Sequence, residues 1–380
     1  MSKLCIDLPP FAPDYSGAAS ALYDMGGLIV IHDASGCTGN YTGFDEPRWY
    51  ESNAMVFCSG LRHMDAVLGN DNKLIKRIEE AAKSLNPKFI AVLGSPVPMV
   101  IGTDFKGIAH EIEVITGIPS IGVDTTGLHY YGQGICDATL ELMKKMIKTK
   151  KEKIPNTINI IGMTPLDFYT NSNDKDFIQL FEEQGIEVKA CYYMGLTVEK
   201  MIDSVSASLN VVVSQAGIAV AEYMKTKYDI PYTVITPMGD GTLAVDQVVK
   251  ALNGTTDEFV PKTENAKIII VGEQIISNSM RQYLQQKENH SSITVATLYD
   301  VTKKYQALGD IKVKNEAHLR KILNSGQYEI VIADPMIKQL IKDSNVKFYD
   351  FPHVALSSKL HWDECKRLVS EDTKKWLELI

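Results

Sequence analysis

Short runs of β-branched and aliphatic residues recur along the chain at 28–31, 89–93, 120–123, 157–161, 209–213, 232–235, 267–271, 293–298 and 328–332. Between them apolar residues return every three or four positions. Leu74, Ile78, Ala81, Ala82 and Leu85 form one such stripe, and Ile135, Thr139, Leu142 and Met146 another. Strands buried on both faces alternating with one-sided helices specify an α/β fold with parallel sheets and right-handed crossovers. Two polar connectors, at 144–153 and 253–265, divide this pattern. The expected modules are therefore 1–153, 154–264 and 265–380, the last with a C-terminal helix. The second and third open alike, with INIIGMTP and IIIVGEQI: an apolar strand, a turn residue, then a polar helix cap.

With 39 Lys and Arg against 47 Asp and Glu, the chain carries a formal charge of -8, and no basic cluster stands out to grip nucleic acid phosphates. No apolar run approaches the roughly 20 residues that cross a bilayer, and MSKLCIDLPP lacks the apolar core of a secretory leader. Six cysteines in 380 residues are too sparse for a disulfide scaffold. A cytoplasmic, reducing location follows as the expectation. No G-x-x-x-x-G-K-[ST] loop occurs, so ATP hydrolysis is not expected of this chain itself. C-x-x-C and H-E-x-x-H are also missing, against a zinc finger or zincin.

In open α/β sheets, ligands gather beyond the carboxyl ends of strands, where loops enter helices with free backbone N–H groups. After the first strand comes His32-Asp33-Ala34-Ser35-Gly36-Cys37-Thr38-Gly39, a small-residue loop with one thiol that favours a ligand role over a merely buried cysteine. Cys58, in Met55-Val56-Phe57-Cys58-Ser59-Gly60, is weak evidence alone. Cys5 precedes Pro9, Pro10 and Pro13 in an extended arm, where an unligated thiol and a ligand are equally compatible with the pattern. The other three read as structural: Cys136 on a helix, Cys191 in a strand at 186–193, and Cys365 on a helical face with Trp362 and Leu368. His32, Asp33, Tyr41 and Arg48 near Cys37 are candidate proton donors, although His32 and His63 more often make structural hydrogen bonds in such settings.

These segments resemble the nitrogenase component 1 family. IHDASGC is similar to the family's loop after the first strand and sets Cys37 on a cluster-binding cysteine. FCSGLRHMDAVLGNDNKLIKRI resembles the Gly-Gly-x-x-x-Leu segment, with Gly69, Asn70 and Leu74 on its marked positions, and AVLGSPVPMVIGTDF resembles the loop ending in Ile-Gly-Asp-Asp. INIIG and LNVVVSQAG through KYDIPY extend the likeness over the second module; it thins in the third. Three Rossmann-like parallel-sheet modules of the nitrogenase component 1 type are what the resemblance implies.

Departures from the family pattern are as informative. Members holding the large P-type cluster supply three cysteines per subunit, whereas here Pro13 occupies the first position and Ser95 or Pro96 the third. Ser214 stands where the α subunit ligates its metal cofactor by cysteine, and Ser357 lies near the histidine ligand's position. The resemblance thus implies no iron-molybdenum cofactor and no dinitrogen reduction. It points toward the light-independent protochlorophyllide reductases and the nickel-tetrapyrrole reductive cyclase, which pass electrons through an iron-sulfur cluster to an organic substrate in strictly anaerobic chemistry. A 4Fe-4S cubane needs four ligands, so one chain with a single matching cysteine cannot enclose it. A homodimer, or pairing with a paralogous subunit, supplies four thiolates if each chain gives Cys37 with Cys58 or Cys5; spacing does not choose between these two, and six thiolates would admit a larger cluster. Electrons would come from an ATP-dependent reductase resembling the nitrogenase iron protein. The small organic substrate would sit between the modules, above 94–98, 162–167 and 214–217, loops that look small and weakly polar. A cofactor scaffold or carrier, and a cluster-free binding protein, are the alternatives.

Overall fold

The computed structural model describes residues 6–50, 54–255, 259–288, 290 and 292–380. Its strands form three parallel sheets. The first contains β1 (Leu28–Ile31), β2 (Met55–Cys58), β3 (Ile90–Leu93) and β4 (Ser120–Val123), in the order β2-β1-β3-β4. The second contains β5 (Ile154–Ile161), β6 (Glu187–Cys191), β7 (Ala207–Val212) and β8 (Tyr232–Val234), ordered β6-β5-β7-β8. The third contains β9 (Ile268–Gly272), β10 (Ile293–Thr297), β11 (Ile311–Lys312), β12 (Ile330–Ala333) and β13 (Lys347–Asp350), ordered β11-β10-β9-β12-β13.

Each sheet repeats one arrangement: its first strand lies inside, with the next strand on one side and a later one on the other. The chain therefore reverses its winding at β1, β5 and β9. Beyond the carboxyl end of such a strand the flanking helices lie on opposite faces and leave a crevice. The loops that follow these strands begin at His32, Gly162 and Glu273, and they carry the chemistry described below.

Every residue of β1, β3 and β4 is buried, as expected for sheets covered on both faces. The helix Asp71–Leu85 buries Leu74, Ile75, Ile78 and Ala82 on this sheet; Leu85, expected in the stripe, is exposed at the last turn before Asn86 takes φ 48. On the opposite face the helix Tyr131–Met146 packs against the helix Asp14–Leu22. The crossing is close because two glycines meet it. A Cβ on Gly134 would stand 1.7 Å from the Asp14 carbonyl oxygen, and one on Gly17 would stand 2.0 Å from that of Tyr131.

β2, β11 and β13 are additions to the sequence reading, and all three are edge strands. The chain's end also crosses over: Val369 bridges to Gly239, and Leu368, Leu377 and Ile380 share a core with Phe177 and Phe181 of the second module and Ile268 and Leu284 of the third. Among the described residues, no helix is long and apolar enough to cross a membrane.

Candidate functional site

The loop after β1 is organised by Asp33. Its Oδ2 accepts from the backbone N–H of Ser35 and of Thr38, each at 3.0 Å, while Ser35 takes φ 143 to turn the chain into the short helix Gly36–Asn40. β1 pairs in parallel with β2, and Ile31 stands opposite Cys58. Cys58 therefore lies at the carboxyl end of its strand beside this loop, where its thiol donates to the Asp33 carbonyl at 3.3 Å and Gly60 N–H donates to its sulfur at 3.3 Å. Cys37, on the first turn of the short helix, is bounded by Asp33, Tyr15 and Ser95. Both thiols are half-buried and share one neighbour, Asp33. Burial and then the Asp33 charge push the Cys37 thiol up, against the Tyr15 and Ser95 hydroxyls. Without a metal, Cys37 is a protonated thiol.

Cys5 lies outside the described residues. The remaining cysteines sit apart from this loop in the fold. Cys136 is on the helix Tyr131–Met146, where burial pushes it up to about 11, and Cys191 is buried at the end of β6. Cys365 departs from expectation: it follows the 3-10 turn Trp362–Glu364 in extended backbone, because the chain turns there to reach the second module, so it shares no helical face with Trp362 and Leu368. Burial pushes its thiol up to about 12.

Of the candidates around Cys37, two are consumed by structure. Arg48 binds both oxygens of Glu46, at 2.7 and 2.8 Å, with Asp24 at 2.9 Å and the Ser20 carbonyl at 2.9 Å, and the Tyr41 hydroxyl donates to the same Glu46. This buried clamp fixes the segment after Cys37 against the first helix. His32 hydrogen-bonds Ser59 Oγ through Nδ1 at 2.8 Å; burial lowers its pKa and keeps the imidazole neutral. It lines a cavity of about 180 Å³ with Asp65, Lys73 and Arg77.

Next to the thiols the surface turns apolar. Ser95 beside Cys37 opens the helix Pro96–Ile101, and the strand ending in Cys58 leads to the helix His63–Leu68; the two helices touch. Val100 is 77% exposed, Leu68 71% and Val67 66%, with Met64, Ile101 and Phe57 also exposed. Among the described residues these apolar side chains, all but Phe57 on two touching helices, have no cover.

A second cluster lies where the three sheets' carboxyl ends converge. Asp167 Oδ1 accepts from the Tyr131 hydroxyl at 2.5 Å and pairs with His353 Nε2 at 2.8 Å, and the Tyr299 hydroxyl hydrogen-bonds His353 Nδ1 at 2.7 Å. Asp334 holds the His353 backbone N–H at 2.8 Å. Glu273 accepts from the backbone of Gln215, Ile275 and Ile276. Burial and then the Asp167 charge push the Glu273 carboxyl up to about 8, against those three bonds. The expectation of weakly polar loops is thus corrected. Each group comes from a different loop, so no sequence window contains the cluster.

This junction is filled. A void of only about 10 Å³, about one water, lies beside Asp167 and Cys365. Ser214 Oγ donates to the Gly162 carbonyl, Ser357 Oγ donates to the His353 carbonyl, and both His353 nitrogens are engaged. The void leaves no room there for a large metal cofactor, and of the junction's described polar side chains Ser214, Ser357 and His353 are engaged while Asp167 Oδ2 is buried without a partner. The Cys37 loop differs: two accessible thiols fit half of a four-thiolate site. Among the described residues, no group of three or more His, Cys, Asp and Glu converges to hold a metal ion alone.

A sequence profile described as nitrogenase component 1 type oxidoreductase matches residues 13–296. The nitrogenase iron-molybdenum cofactor biosynthesis protein NifE of Methanosarcina barkeri is 28% identical over 265 residues, covering 64% of this chain and 54% of that protein. A subunit of the light-independent protochlorophyllide reductase of Ephedra altissima is 26% identical over 210 residues, covering 52% of this chain and 41% of that protein. The chain spans about half the length of the curated relatives it matches. A solved structure titled nitrogenase Cp1 at pH 6.5 superimposes with a TM-score of 0.73 at 16% identity, over 100% of this chain and 94% of that one. That likeness is one of fold.

Proposed function

Since the chain belongs to the nitrogenase component 1 type oxidoreductases, we propose that it is an electron-passing component that works as a pair of chains, with an iron-sulfur cluster ligated by Cys37 and Cys58 of each. The observation that carries this is the placing of two half-buried thiols around Asp33, beside the apolar surface of Val67, Leu68 and Val100. Burying that surface against a second chain brings four thiolates together and removes the unpartnered patch at once. When bound, such a cluster supplies one-electron transfer. Gly60 N–H, already aimed at the Cys58 sulfur, stabilises negative charge there. Asp33 orients both cysteines through its own backbone and carboxylate. On this reading the electrons come from a separate ATP-dependent iron-sulfur reductase and reduce a small organic substrate.

Anaerobic purification followed by iron, sulfide and mass determination tests this. About four iron and four sulfide per dimer are expected, lost in Cys37→Ala and in Cys58→Ala. Val100→Glu combined with Leu68→Glu should yield iron-free monomer. A stable dimer without iron refutes the proposal; cluster retained in Cys58→Ala but lost in Cys5→Ala moves the second ligand to the arm. A second reading, a scaffold or carrier for a metal cofactor, is favoured by the likeness to proteins named for iron-molybdenum cofactor biosynthesis and opposed by the filled junction.

A further inference from the structure

Away from the cysteine loop, the proline-rich arm crosses from the first module onto the third and roofs a cavity of about 310 Å³. The arm is held at both ends. Glu316 Oε2, at the start of the helix Glu316–Leu323, accepts from three successive backbone N–H groups, Ile6 at 2.7 Å, Asp7 at 3.0 Å and Leu8 at 3.1 Å. Ala12 N–H donates to the Ala355 carbonyl at 2.9 Å, and Asp14 N–H to that of His129 at 3.0 Å. Between these anchors Pro10 and Phe11 line the cavity, opposite Leu298 and Val313 of the third module and Tyr130 of the first.

These walls are rigid and flat. Phe11 and Tyr130 are braced by Tyr299 behind them, the three rings tilted or edge-on with centroids 5.4–5.9 Å apart, and the prolines have no side-chain rotamers to reorganise. Such surfaces accept the face or edge of another ring with little entropy loss. The volume is at the lower end of small-molecule sites, enough for one or two rings and too small for a macrocycle. Apart from the Tyr130 phenol, the ionisable side chains that border the space are His129, Lys314 and Glu316. Glu316 is spent on the arm and on Arg320, to which it is 3.0 Å distant. The Lys314 ammonium, exposed at the rim, makes no ion pair or hydrogen bond among the described residues. An apolar, ring-lined cavity with one unneutralised cation at its mouth has a complement of definite chemistry.

We propose that this cavity binds a planar one- or two-ring compound bearing a carboxylate, with the rings against the Phe11, Tyr130, Leu298 and Val313 side chains and the carboxylate at Lys314. The site is independent of the cysteines and of any cluster.

Calorimetric titration of the full chain with 2-naphthoate, and with neutral 2-naphthylmethanol as control, tests this. One saturable site per chain is expected. Lys314→Glu should weaken 2-naphthoate at least tenfold and change 2-naphthylmethanol less than threefold. Leu128→Trp, an exposed position at the mouth, should weaken both without altering the unfolding midpoint, which keeps the test decisive should Phe11→Ala fail to fold. Absence of saturable binding at millimolar ligand, or equal affinities in wild type and Lys314→Glu, overturns the proposal. Neither result bears on the iron content that tests the cluster.

Discussion

Replacing Glu316 by Gln should release the arm. The carboxylate is 3% exposed and holds three arm N–H groups on one oxygen. Burial raises its pKa, but the N–H groups of Leu8, Ile6 and Asp7, then Arg320, outweigh burial and hold it at about 2. An unfolded Glu titrates near 4.3, so the shift of roughly 2 units corresponds to about 3 kcal/mol of stabilisation at neutral pH. The sign follows from a depressed acid: the contribution is complete above about pH 4.3 and is lost as pH falls through 2. Gln keeps one acceptor oxygen without charge, so a loss of about 1.5–3 kcal/mol is expected at pH 7. Because the arm lies across the two modules and is held there by a few backbone bonds, the loss should appear as local opening rather than global unfolding. Hydrogen exchange at Leu8 should accelerate about 10- to 100-fold at pH 7. At pH 3 the variant and wild type should lie much closer. An acceleration below threefold at pH 7, or one equally large at pH 3, refutes the argument that charge-assisted bonds hold the arm.

The junction has the opposite sign. Glu273, raised to about 8, keeps its proton while an unfolded Glu loses it, so wild-type stability should fall from about pH 4.3 to 8; Glu273→Gln should flatten that fall by on the order of 3 kcal/mol, read from urea unfolding at pH 5 and 8. At the helix crossing, Gly134→Ala forces a Cβ against the Asp14 carbonyl and should cost about 2–3 kcal/mol, measured as a lower denaturant midpoint, whereas alanine at exposed Gly36, where a Cβ meets nothing, should change it little.

What the sequence disclosed follows burial. β1, β3 and β4 are covered on both faces, so their residues had to be apolar in succession and stood out as runs. β2, β11 and β13 are short and only partly buried: Ile311-Lys312 and Lys347-Phe348-Tyr349-Asp350 hold only one and two apolar residues, while Met55-Val56-Phe57-Cys58 is apolar throughout but four residues alone do not distinguish a strand from a buried turn or helix. Cys37 was legible because it follows a strand in a loop of small residues. The same rule, applied evenly, would have marked Asp334 directly after β12 and Glu273 directly after β9. They were passed over because a lone acid after a strand is common, and only the fold reveals that Asp167, Glu273, Asp334 and His353 face one another. Their spacing along the chain, from 167 to 353, carries no period that a sequence window can detect.

The three reversal points divide the chemistry of the chain. Beyond β1 lie two half-buried thiols beside an apolar surface, the place where the proposed cluster would receive electrons. Beyond β5 and β9 lie Asp167 and Glu273, buried carboxyls with one raised into the neutral range, suited to hold protons. One structural element connects them. Tyr15, beside Cys37, belongs to the helix Asp14–Leu22, and that helix crosses Tyr131–Met146 at the Gly17 and Gly134 contacts. Tyr131, the first residue of the second helix, donates its hydroxyl to Asp167. Any displacement of the first helix would therefore be delivered to the junction across a contact with no room for a single methyl group. On the proposed reading, in which reduction of an organic bond needs electrons and protons together, this crossing is a continuous packed route between the half of the chain that would meet a partner and the half with the buried carboxyls.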